Sequence, residues 1–143
     1  MATDDLLNVS IDSHGFLHPQ SVSDRLTAAN RFLELGKREI QESRARADKI
    51  REREAAEKVF HSFLEACAAR IQKYGVGVPE NHEQIRYWLR SKRDETLLKL
   101  FEDAYLGLHV KAYYRGWSST KEIDSLVDRI GMAIERIGKE AKR

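Results

Sequence analysis

The chain has 143 residues, 34% of them charged and 41% hydrophobic, with 25 basic side chains against 23 acidic and a formal net charge of +2. That length suits one domain able to bury its own core without disulfides or metal. The near balance of charge excludes a strong bulk field toward nucleic acid, and two prolines with eight glycines are too few for a turn-rich β-sandwich.

The first 20 residues read as a separate extended or disordered arm, with a single helical domain over residues 21–143. The opening MATDDLLNVS is acidic and lacks the basic region and apolar core of a signal peptide, so none is expected. His14 and His18 stand four apart, but Gly15 and Pro19 argue against the helix that would make them a metal pair.

Ser21 or Ser23 can cap a first helix, with Asp24 favourably placed in its first turn. Val22, Leu26, Ala29, Leu33 and Ile40 repeat at helical spacing, and Gly36 in the same stripe marks the close approach of another helix. From Glu39 to Lys58 the chain is intensely charged and unbroken by Gly or Pro. Either one long helix runs through to Tyr74, or the chain turns near Arg44 to Asp48 and Asp48 caps a second helix. The turn is preferred, because a single helix would leave its charged middle without an apolar partner. The charges form a solvated face held by opposite-sign pairs such as Glu54 with Lys58.

The second helix carries Val59, Phe60, Phe63, Leu64, Cys67 and Ile71 on one face. Cys67 is the only cysteine and reads as a small buried side chain. His61 reads as a core-edge group. Pro79, Glu80 and Asn81 look like the start of a short third helix facing inward with Ile85, Trp88 and Leu89. Arg86, Arg90, Lys92 and Arg93 are the densest basic cluster without acidic dilution, and are the candidate nucleic-acid contacts.

Leu97 to Trp117 has the widest apolar stripe, with Leu97, Phe101, Ala104, Leu108 and Ala112 at its centre. This helix is therefore expected to lie innermost and touch the others most. Glu102 and His109, seven apart, would share a face on a regular helix and could form half of a metal site, short of a full ligand set. After Gly116, Ser119 and Glu122 fit a capping box, and Ile123, Leu126, Val127, Ile130, Ile134 and Ile137 mark one face of a last helix. Four long helices and one short one imply an all-α, antiparallel four-helix bundle. No apolar run approaches the roughly 20 residues that span a bilayer, so no membrane partner and a cytoplasmic location are expected.

The stretch YLGLHVKAYYRGWSSTKEIDSLVDRIGMAIERI, with Tyr105, Leu108, His109, Tyr113, Tyr114 and Gly116, resembles a small bacterial helical family similar to the HEPN superfamily. The resemblance is carried mainly by residues 94–137. It implies an up-and-down bundle, often dimeric, and in some members metal-independent RNA cleavage by an Arg followed by four to six residues and a His. His109 has no Arg at that distance, nor has any other His here. No phosphate loop, paired cysteines or nucleophile elbow stands in the chain either. The expectation is a non-enzymatic module without metal or cofactor. It would pair with itself as a homodimer or with another protein through Tyr113, Tyr114, Arg115 and Trp117. HEPN-like RNA binding or cleavage is the alternative.

Overall fold

A computed structural model of the chain describes residues 21–74, 77, 79, 81–116 and 119–142. The expected arm, His14, His18 and Trp117 lie outside the described residues. Among those described the chain is all-helical, with no strand. In order come α1 (Val22–Ala45), α2 (Lys49–Lys73), α3 (His82–Ser91), α4 (Glu95–Ala104) and α5 (Thr120–Ala141). Between α4 and α5 lies a π-helical segment (Tyr105–Arg115), which continues α4 without a break in right-handed backbone. No helix among the described residues is long and apolar enough to cross a membrane.

Each helix start follows from a side chain that accepts an otherwise orphaned N–H. Ser21 and Asp24 form a reciprocal capping box on α1. Asp48, Asn81, Asp94 and Ser119 cap α2, α3, α4 and α5. The turn expected near Arg44–Asp48 is present, and α1 and α2 are two helices. Glu122 donates its backbone N–H to Ser119 Oγ at 3.1 Å, while its carboxylate turns to Lys111 at 3.4 Å.

α1 and α2 run antiparallel, tied by Arg25 to Glu65, Lys58 to Glu39 and Arg44 to Glu52. Lys58 thus pairs across the hairpin with Glu39, not along its own helix with Glu54. Gly36 permits the contact: a Cβ there would lie 2.7 Å from Val59 Cγ2. Gly107 does the same for α5, where a Cβ would meet Leu126 Cδ1 at 2.4 Å.

The innermost element is α2, not the helix beginning at Leu97. From Ala55 to Ile71 almost every turn of α2 is buried on more than one side, and five of those residues are alanines at 0% exposure. Alanine contributes little to an apolar stripe, yet it lets neighbours approach from all sides, so the stripe width misranked the two helices. Phe101 and Leu108 are nevertheless fully buried, and the six apolar positions that mark α5 are buried too. At one end Arg70 joins Asp94 (3.1 Å) to Glu140 (2.7 Å), and Lys73 donates to the last carbonyls of α5, Glu140 and Ala141.

Candidate functional site

The π segment is the departure from regular helix, and polar chemistry gathers beside it. π-Helical turns are rare and are frequently found at functional sites. The wider coil, bonded i to i+5, brings residues four and five apart onto one side. Tyr105, His109 and Tyr114 accordingly form a column: Tyr105 to His109 is 5.3 Å between ring centres, and His109 to Tyr114 is 4.9 Å edge to face. Tyr113 lies beside it, 5.1 Å from Tyr114. The segment ends at Gly116 in the left-handed conformation (φ 69°). Arg53 seals that end by donating to the carbonyls of Tyr113 (3.0 and 2.7 Å) and Tyr114 (3.1 Å). A cation at a helix C-terminus meets both the dipole and the orphaned carbonyls.

His109 is the hub. Its Nδ1 donates to both oxygens of Glu57 at 2.8 Å, and its ring stacks on Phe60 at 5.1 Å. That hydrogen bond fixes the orientation of the ring. His61 Nε2 lies 3.4 Å from the same carboxylate, one turn along α2. Burial pushes the Glu57 carboxyl up, but the hydrogen bonds from His109 and His61 outweigh it and hold the group below the usual carboxylate range. Glu57 is therefore the fixed negative charge of the site.

His82, at the start of α3, meets His109 and Phe60 edge to face, each at 5.5 Å. Burial holds its pKa below the ordinary value of 6.5, and His109, His61 and Arg86 push it further down against the pull of Glu57. His82 thus sits against His109, Phe60 and Tyr105, its ring kept from protonating by burial.

The four expected basic contacts, Arg86, Arg90, Lys92 and Arg93, have different surroundings. Arg86 lies over the rings of Phe101 (5.2 Å) and Tyr105 (5.5 Å), and both Glu83 and Glu102 engage its guanidinium. Lys92 and Arg93, just past the end of α3, line a shallow depression with Arg70, Asp94, Arg136 and Glu140. Arg90 is exposed on the last turn of α3. The four cations do not form one basic face. Glu102 and His109, which sequence spacing put on one face, take separate partners. Glu102 holds Arg86, and His109 holds Glu57. Among the described residues no group of three His, Cys, Asp or Glu side chains could hold a metal ion. Cys67 is buried, and burial pushes its thiol far up, so it carries no thiolate at neutral pH.

Of the expected partner contacts, Tyr114 is 65% exposed, Arg115 is exposed and Tyr113 is half-buried. Glu57 and His82 escaped sequence reasoning as site residues. The one available signal was Glu57 four residues before His61; nothing local announces that α3 brings His82 onto His109. Comparison with protein-family models, with curated proteins and with solved structures finds no match to this chain.

Proposed function

We propose that this protein is a non-enzymatic, HEPN-like module, an antiparallel four-helix bundle with one additional short helix, that binds a protein partner through the exposed end of its aromatic column. Tyr113, Tyr114 and Arg115 are the contact residues. The observation that carries this reading is Tyr114: it is 65% exposed yet held between His109 at 4.9 Å and Tyr113 at 5.1 Å. An anchor already fixed in place loses little side-chain entropy on binding, and Tyr with Arg is typical of interface hot spots. Leu106 is also exposed on the π segment. The test is recovery of partners from the source cells by the full chain and by Tyr114→Ala, with helicity checked by circular dichroism. A specific protein should bind at least about tenfold less to the variant, a loss of roughly 1.4 kcal/mol. An identical set of co-purifying proteins refutes the reading.

A second reading, RNA binding or cleavage, is favoured by one observation, the Glu57–His109 pair. An imidazole oriented by a carboxylate is equipped to take and return a proton. Arg86 is the nearest candidate for phosphate charge, but two carboxylates already engage it. Filter binding of single-stranded RNA against salt separates the readings: a slope near zero excludes phosphate contacts, and cleavage lost in His109→Ala would establish them.

A further inference from the structure

An open groove runs between α1 and α5, floored by Leu33, Val127 and Ile134. Two features of it have no explanation within one copy of the chain, and a third bears on what could cover it. Met132 stands on its rim at 72% exposure, on a helix whose other large apolar side chains are buried. Gly131 and Gly138 line it too, although a glycine inside a helix costs about 1 kcal/mol relative to alanine. A Cβ at Gly131 would make only an ordinary contact with Leu33 Cδ2 at 3.8 Å, and one at Gly138 would meet nothing within 4 Å. Gly36 and Gly107, by contrast, are required by neighbours under 3 Å away. The third feature is charge order. Along the groove α5 carries Asp128 and Glu135 first, then Lys139 and Lys142.

We infer that this groove binds a second copy of the same chain, α5 against α5, about a twofold axis near Glu135. In an isologous contact, residues equally spaced before and after the axis face each other. Met132 of each copy then lies on Gly138 of the other, where the missing side chain leaves room for it. Asp128 of each copy faces Lys142 of the other, so the acidic half of one helix meets the basic half of its mate. Glu135, on the axis, is already neutralised by its own Lys139 at 3.1 Å. The same contact covers the apolar floor. The surface shares no residue with Tyr113, Tyr114 or Arg115, so the dimer leaves the aromatic column free and does not depend on what that column binds.

Sedimentation equilibrium of the full chain, from about 1 to about 100 µM to span ordinary association strengths, tests this. The wild type should show a monomer–dimer equilibrium, and Met132→Glu should raise its dissociation constant at least about tenfold with helicity unchanged. Asp128→Lys and Lys142→Asp should each weaken the dimer, and the two together should restore it, since the pair is re-formed with its signs exchanged. A wild type that stays monomeric overturns the inference and leaves the groove to residues 1–20 or to a different protein. A dimer that tolerates Met132→Glu, or that the double exchange does not rescue, overturns it as well. Should Tyr114→Ala alone dissolve the dimer, the groove is refuted and the aromatic column is the self-contact.

Discussion

His82 and Glu57 make the fold acid-sensitive in the same direction. His82 has a folded pKa below the 6.5 of the free side chain, so stability is fully present above that value. As pH falls through 6.5 the unfolded chain takes up the proton before the folded one does, and stability is lost. Glu57, depressed below 4.5, adds a second loss only at lower pH. Urea midpoints measured from pH 8 to pH 5 should fall below about 6.5 in the wild type and fall less in His82→Gln; a flat wild-type profile would refute the assignment. A different residue-scale lever is the pair Arg25–Glu65, 2.9 Å apart with both side chains 1% exposed, where Arg25 also donates to Gln72 at 3.0 Å. Truncating Glu65 strands a guanidinium in the core. Glu65→Ala is expected to cost roughly 3–5 kcal/mol in chemical denaturation, far more than an exposed pair would, because the remaining charge is desolvated and unpaired.

At the scale of elements, one device makes two of the connections. α1 ends with Ala47 at φ 53° and α3 ends with Arg93 at φ 55°, both in the left-handed region that favours glycine. In each turn the next residue is an aspartate whose backbone N–H reaches back five residues, Asp48 to Ser43 at 2.8 Å and Asp94 to Leu89 at 3.0 Å. That is the closing bond of a Schellman motif. The same two aspartates then cap the following helices. One residue thus closes one helix and opens the next, which explains how two connections fit into so few positions. Because Ala47 bears the left-handed strain without glycine's freedom, Ala47→Gly should raise the urea midpoint, by up to about 1 kcal/mol of stability. A lowered midpoint would mean that Ala47 packs in a way its backbone angle does not reveal. Asp48 was legible in the sequence as a cap, since it interrupts a charged run at a plausible helix start. The left-handed residue before it was not, because neither Ala nor Arg signals such a turn.

For the whole molecule, the helices were legible because their apolar positions repeat at helical spacing and their starts carry side chains that accept hydrogen bonds. Two features were hidden for physical reasons. α2 surrounds itself with neighbours through alanines, which score weakly as apolar yet pack most closely, so its central position left little trace. The π winding left none, since Tyr105 to Arg115 reads as ordinary amphipathic helix. The two tyrosines could be nominated from sequence because they lie together at a helix end, while Glu57 and His82, which meet His109 from α2 and α3, could not.

The π segment has one more consequence, for how this chain tolerates change in length. A coil wound with extra residues in each turn lies one deletion away from slackening into the commoner α form. Losing a single residue between Tyr105 and Arg115 would swing Tyr114 around the axis and away from His109. Chains descended from the same ancestor should therefore accept many exchanges of side chain in this stretch, but keep its residue count fixed.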